Sequence, residues 1–150
     1  MTYPTIFPAK YTGTRTDFLI NKENRAGSVQ VEKLVVSVAS GTATGVNVGL
    51  VPFHRGATLV DVKLANGALG TGVTGSVGVI YEDNVANADN ATLFADAASL
   101  AAAGQSNVDI KAAGLTWVAP ANGWIVIQTA GAATGTAGTV TASVCLSYDR

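Results

Sequence analysis

The stretch Val140-Thr-Ala-Ser-Val-Cys-Leu-Ser-Tyr148 alternates without interruption between two kinds of side chain. Its even-numbered positions are apolar, from Val140 to the aromatic Tyr148, and its odd-numbered positions are Thr, Ser or Cys. Successive side chains of a β-strand point to opposite faces, so this period of two predicts a strand with one face in a core. An all-β fold follows if the same signal recurs along the chain.

The signal does recur, in short runs rich in Val and Leu that are separated by Gly-rich turns. Seven or eight short strands of this kind predict an all-β protein, an antiparallel β-sandwich. The runs that carry the prediction are 29–32, 34–38, 46–50, 60–64, 73–81, 124–127 and 140–148. Residues 70–75 and 131–138 are Gly/Thr-rich and are predicted to be hairpin tips.

One segment departs from the strand pattern. Residues 90–103 are rich in Ala, with Leu93 and Leu100 at helical spacing, and they predict one short helix. Asp89 or Asn90 would accept hydrogen bonds from the first-turn amides, and Gly104 would end the helix.

Residues 1–30 predict an extended N-terminal arm, and residues 31–150 predict the β-sandwich domain. The arm has no persistent period of 2 or 3.6, yet it carries aromatic side chains that a purely disordered tail would lack. Packing on its own domain and docking on a neighbouring subunit both remain open. We expect the arm to serve attachment rather than the fold, so that deletion of residues 1–28 leaves the domain stable.

Composition favours a protein that assembles. Charged residues make up only 13% of the 150 residues, against about a quarter in an average soluble domain. Such a surface is poorly solvated in a free monomer, so contact with other protein is expected. The net charge of −1 predicts no nucleic-acid partner, and the charge-free C-terminal region is too interrupted by Gly, Thr, Asn and Pro to predict a membrane span.

Four carboxylates, Glu82, Asp83, Asp89 and Asp96, lie in and after a polar turn. Their spacing is compatible with a loose calcium site but does not specify one. The favoured interpretation is a structural turn that leads into the predicted helix, since Asp and Asn are common in turns and caps. No metal and no cofactor are therefore predicted.

Nothing in the sequence predicts an enzyme. His54 is the single histidine and Cys145 the single cysteine, about 90 residues apart and without a nucleophile motif. One cysteine cannot form an intrachain disulfide. The Gly/Thr-rich stretches also lack the Lys-Ser/Thr pair of a phosphate-binding loop.

Aromatic and basic side chains supply the candidate interface. Trp117 and Trp124, if exposed, could stack on a sugar, although core or interface packing is their more common role. The residues predicted to contact a capsid or another subunit are Tyr3, Phe7, Tyr11, Arg15, Phe18, Arg25, Trp117 and Trp124.

Several segments carry a family likeness. The stretches Gly56-Ala-Thr-Leu-Val-Asp-Val62, Gly78-Val-Ile-Tyr-Glu-Asp83 and Leu93-Phe-Ala-Asp-Ala-Ala98, with Gly135-Thr-Ala-Gly-Thr-Val-Thr141, resemble small head proteins of tailed bacteriophages. The likeness covers about residues 56–148, and here residues 84–92 form a longer connection than the family pattern has. The resemblance to these decoration (cement) and minor head proteins implies a jelly-roll-like sandwich, often trimeric, bound at fixed positions on an icosahedral shell, without catalysis.

The sequence thus predicts a non-enzymatic capsid decoration protein that bridges neighbouring capsid subunits. Its partners would be the major capsid protein and its own copies in a homotrimer, with no nucleic acid or membrane. It would reside on the capsid surface of the virion after synthesis in the host cytoplasm. The alternative is a receptor- or carbohydrate-binding head of a phage fibre, which would need exposed aromatic side chains.

Overall fold

In the computed structural model, residues 5–6, 28–82 and 87–148 are described, and they form two four-stranded antiparallel sheets and one short helix. The first sheet has the strand order β1-β8-β3-β6 and the second has the order β2-β7-β4-β5. The elements are β1 (Ser28–Val38), β2 (Asn47–Phe53), β3 (Ala57–Asn66), β4 (Val73–Tyr81), β5 (Asn90–Ser99), β6 (Gly104–Asn107), α1 (Ala112–Leu115), β7 (Gly123–Gly131) and β8 (Gly138–Tyr148). The predicted all-β antiparallel sandwich is confirmed, and the described residues contain one short helix, at a different place from the predicted one.

Most consecutive strands lie in opposite sheets. Among the described strands, β4 and β5 are the one pair that is adjacent both in sequence and in a sheet. The Gly/Thr-rich segments therefore connect the two sheets: residues 67–72 join β3 to β4, and residues 132–137 join β7 to β8. The prediction of hairpin tips was wrong, because composition indicates a turn but not which strands pair beyond it.

The opening stretch forms β8, the strand between β1 and β3 in the first sheet. Its alternation is exact in the structure: the even-numbered residues from Val140 to Tyr148 are buried, and the odd-numbered residues from Thr141 to Ser147 are half-buried. β1 pairs with β8 along its whole length without a shift of register. Because that register is uniform, every odd-numbered side chain of β1 and β8 lies on the outer face of the sheet.

The second sheet differs because it is buried on both of its faces. In β7, Trp124 and Val126 point to one face and Ile125 and Ile127 to the other, yet all four are at most 1% exposed. β4 is buried along nearly its whole length as well. The outer face of the first sheet is therefore the sheet face that is exposed to solvent.

The helix predicted over residues 90–103 is wrong, because residues 90–99 form β5. Successive pairs of β5 with β4 are Ala98 with Gly75, Ala95 with Val77 and Asn90 with Val79, so β5 carries extra residues between them. These bulges remove the period of two that would have marked a strand. Burial of Phe94, which is 0% exposed, overrides the helical preference of the alanines. The short helix is α1 instead.

Two residues of the predicted arm are attached to the domain. The amides of Thr5 and Ile6 donate to the carbonyl oxygen of Asn47 at 2.8 and 3.2 Å, and the amide of Gly49 donates to the carbonyl oxygen of Ile6 at 2.6 Å. Ile6 thereby pairs in parallel with Val48 at the edge of β2 and packs against the core. This part of the arm contributes to the fold, contrary to the expectation of attachment alone.

Loops at one end of the sandwich are fastened by two buried threonines. The hydroxyl of Thr134 donates to the carbonyl oxygen of Ala39 at 2.7 Å and accepts from the amide of Thr42 at 2.9 Å. The hydroxyl of Thr129 likewise donates to the carbonyl oxygen of Ala43, at 2.8 Å. Because a buried hydroxyl replaces water as the partner of these backbone groups, the loop between β1 and β2 is fixed against β7 and the loop that follows it.

Candidate docking surface

Three of the four predicted carboxylates lie in the described residues, and these three do not converge on one point. Glu82 lies directly after β4, Asp89 lies before β5, and Asp96 pairs with Lys111 at 2.5 Å. Lys111 also donates to the carbonyl oxygen of Thr92 at 2.9 Å, so this pair fastens β5 to the segment before α1. Asp83 lies outside the described residues. Within the described ranges, no three His, Cys, Asp or Glu side chains are grouped as a metal site would require.

Asp89 has a structural role that differs from the predicted one. Its Oδ1 accepts a hydrogen bond from the amide of Tyr81 at 2.7 Å, across the turn that joins β4 to β5. The predicted helix cap is wrong because no helix follows Asp89. Its carboxylate instead satisfies the last backbone amide of β4.

Replacing Asp89 with alanine removes this hydrogen bond. We expect a loss of about 1 kcal/mol in the free energy of unfolding, since Asp89 is exposed and water can reach the freed amide. Asp89→Asn keeps an oxygen acceptor and is the matched control, expected to lose less than half as much. Chemical denaturation of the three proteins measures the difference, and equal stability of Asp89→Ala and the unmodified chain would contradict this role.

His54 and Cys145 do not form a catalytic pair. The amide of His54 donates to the hydroxyl of Tyr148, an inward-facing residue, at 3.4 Å. Cys145 lies on the outer face of the first sheet, opposite Val31 on β1 and Asp61 on β3. Partial burial, and secondarily the negative charge of Asp61, raise the pKa of the Cys145 thiol. A nucleophilic thiol requires the opposite shift, so this environment makes Cys145 less reactive.

Both tryptophans belong to the core, so their predicted places at an exposed interface are corrected. Trp124 is 0% exposed, and Trp117 is 9% exposed. Trp117 packs edge-to-face on Phe53 and Phe94, with ring centroids 5.1 and 5.2 Å apart, and its Nε1 donates to the hydroxyl of Tyr81 at 2.9 Å. Large aromatic rings contribute most when both faces are packed, and neither indole here offers a face to a sugar.

The other six predicted interface residues, Tyr3, Phe7, Tyr11, Arg15, Phe18 and Arg25, lie outside the described residues. Their role as contacts stays a prediction. The structure instead contains an exposed apolar surface that the sequence analysis did not predict. Six large apolar side chains are exposed among the described residues. Four of them belong to β1 and β3: Val29, Val31, Val35 and Val60.

These valines lie on the outer face of the first sheet, which is arranged in cross-strand rows over β1, β8 and β3. The rows are Val29–Ser147–Thr58, Val31–Cys145–Asp61, Lys33–Ser143–Lys63 and Val35–Thr141–Ala65. A bulge between Leu59 and Asp61 places Val60 beside the second row. The three β1 valines are 51–66% exposed, and Val60 is 50% exposed.

A signal for this face was present in the sequence. Val35 stands between Leu34 and Val36, so β1 has apolar side chains on both faces. A strand with only one face in a core is expected to be polar on the other face. Only the pairing with β8 shows which set of side chains points outward.

Comparison with known proteins gives two structural similarities. No family model matches the chain, and no curated protein matches it in sequence. A chain from the capsid of Ralstonia phage GP4 superposes with a TM-score of 0.63 at 18% identity, covering 83% of this chain and 87% of that one. A chain of the capsid asymmetric unit of cyanophage Pam1 superposes with a TM-score of 0.60 at 19% identity, covering 82% and 86%.

These similarities extend over most of each chain, so they concern the whole sandwich rather than a shared motif. At 18–19% identity they establish a common fold and do not transfer functional residues. The chain therefore has the fold of proteins found in the capsids of two phages. Within the described ranges, no helix has the length and apolar character needed to cross a membrane.

Proposed function

We propose that this protein is a non-enzymatic structural component of a bacteriophage particle, which binds the outside of the icosahedral shell and stabilises it by bridging neighbouring capsid subunits. The observation that carries the proposal is the match of the whole sandwich to capsid chains of two phages. The low charge of the chain supports it, because such a surface is better suited to contact with protein than to full solvation.

The partners in this proposal are the major capsid protein and further copies of the chain, most simply as a homotrimer. A repeated shell presents the same site many times, so a trimer can engage several subunits at once. Linked weak contacts then give a much higher overall affinity than one contact alone. The arm residues predicted from the sequence would add contacts to the shell or to neighbouring copies, and the protein would reside on the capsid surface of the virion after synthesis in the host cytoplasm.

The experiment is to purify particles of the phage that encodes this chain and to measure its copy number relative to the major capsid protein. A fixed ratio in repeated preparations is expected. Particles assembled without the chain should release their genome at a lower temperature, and purified chain should restore the difference. Absence of the chain from purified particles would contradict the proposal.

The oligomeric state is measured separately by analytical ultracentrifugation of the purified protein. A species of three times 15.1 kDa is expected, and a monomer at tens of micromolar would contradict the trimer. A fibre-tip head that binds carbohydrate has less support, because the two tryptophans that could stack on a sugar are in the core.

A further inference from the structure

The outer face of the first sheet combines apolar side chains with a pair of lysines at its centre. Lys33 and Lys63 lie on either side of Ser143 in one cross-strand row, with Val31 in the row on one side and Val35 in the row on the other. Strand spacing in a sheet places the two lysine backbones about 10 Å apart. A carboxylate over Ser143 is therefore within reach of both ammonium groups.

The two lysines form only one weak ion pair within the described part of the chain. Lys63 pairs with Asp61 at 3.8 Å, and both side chains are about half exposed or more. An exposed pair of this kind contributes little, and the ammonium can rearrange toward a better partner. Lys33 is exposed and forms no ion pair with a described residue. The lysine row and the row beside it thus carry two positive charges against the one negative charge of Asp61.

This charge arrangement selects the kind of partner. If two copies of the chain packed this face against itself, the lysine row of one would meet that of the other, and opposed like charges across an interface cost several kcal/mol. A different protein with a carboxylate inside an apolar strip fits both features. We propose that the outer face of the first sheet docks on the shell protein, which contributes an Asp or Glu side chain between Lys33 and Lys63.

The size of the face agrees with attachment at several points. Its three strands span an area of about 500 Å², from strand length and spacing. A stable pairwise interface buries about 800 Å² on each partner. One face alone is too small for tight binding, so occupancy depends on several copies docking together. This inference rests on the proposed function for the identity of the partner.

Paired valine substitutions test the apolar part of the surface. Val31 and Leu115 are equally exposed, at 66%, but Leu115 lies at the end of α1 and pairs with no strand of the first sheet. Val31→Asp should weaken binding to particles assembled without the chain by about tenfold or more, whereas Leu115→Asp should not. Thermal unfolding of both variants shows whether each remains folded.

Charge reversal tests the lysine row. The double variant Lys33→Glu and Lys63→Glu should lose binding and the salt sensitivity that accompanies it. Arg55→Glu is the matched control, because Arg55 is an exposed cation in the turn between β2 and β3. Its binding should stay within about twofold of the unmodified chain.

Cys145 provides a readout that does not depend on any destabilising substitution. It is the single cysteine, is partly accessible, and lies on the outer face beside Val31. Alkylation with a maleimide should be slowed at least about fivefold in particles relative to the free protein, because docking covers the face. A Cys145→Ser and Leu115→Cys variant should remain equally reactive in both states.

The outcomes separate the two proposals. If the unmodified chain does not bind particles, both the proposed function and this docking surface are overturned. If it binds while Val31→Asp and the double lysine variant bind equally well, and Cys145 stays reactive in particles, the function stands and the docking surface is overturned. Selective loss in the face variants together with protection of Cys145 supports the inference.

Discussion

Replacement of Trp117 with alanine is expected to lower the free energy of unfolding by about 3–5 kcal/mol, the usual cost of removing a buried Trp or Phe ring. Trp117 fills the space between Phe53 and Phe94 and donates a hydrogen bond to Tyr81. Its removal leaves a cavity at the point where β2, β4 and β5 meet the segment after α1. A typical domain has only about 5–15 kcal/mol of stability, so this one substitution would remove a large part of it.

Two controls separate the ring from the hydrogen bond. Trp117→Phe keeps an aromatic ring in the cluster but removes the indole N–H donor, and a loss of about 1–2 kcal/mol is expected. Leu115→Ala, at a nearby side chain that is 66% exposed, should change stability by less than about 0.5 kcal/mol. Urea denaturation measures all three variants. A loss below about 1 kcal/mol in Trp117→Ala would mean that the aromatic cluster does not hold these strands together.

Gly78→Ala is expected to have the second-largest effect. A Cβ atom at Gly78 would overlap the carbonyl oxygen of Asn90 and lie 2.6 Å from Cα of Ala91, so the obstruction is backbone and cannot rotate away. The start of β5 would have to move off β4. We expect a loss of about 3 kcal/mol, the upper end of what overpacking usually costs, because no side-chain rearrangement can relieve the contact.

Gly104→Ala is the matched control for this substitution. Gly104 begins β6, is exposed, and has no atom within 4 Å of the position that a Cβ would take. The same change there should be neutral or stabilising by up to about 1 kcal/mol, because alanine restricts the unfolded chain. Thermal unfolding compares the two variants. Equal melting temperatures for Gly78→Ala and Gly104→Ala would refute the close approach of β5 to β4.

The sequence by itself determined the fold class. The alternation in β8 and β1 and the Gly-rich turns predict an antiparallel sandwich, since a period of two with one apolar face requires a core on one side. The structure confirmed the two antiparallel sheets. These predictions succeeded because they depend on local pattern, which the chain carries without reference to its neighbours.

The tertiary structure decided the features that depend on pairing. Residues 90–99 look helical by composition, but bulges against β4 and the buried Phe94 make them a strand. Asp89 accepts a hydrogen bond from the amide of Tyr81, eight residues earlier in the sequence, and no helix-capping rule predicts this pair. Trp117 and Trp124 could have been exposed or buried on sequence grounds, and packing places both in the core.

The candidate docking surface belongs to this second group. Sequence shows that β1 is apolar on both faces, but not which face meets the core, because a shift of one residue in register would exchange the two. Pairing of β1 with β8 fixes the register, turns Val29, Val31 and Val35 outward, and aligns Lys33 with Lys63 from a strand thirty residues away. A surface built from three strands forms only when those strands pair. The sequence of each strand shows its alternation of side chains, but it does not show which strands lie beside it.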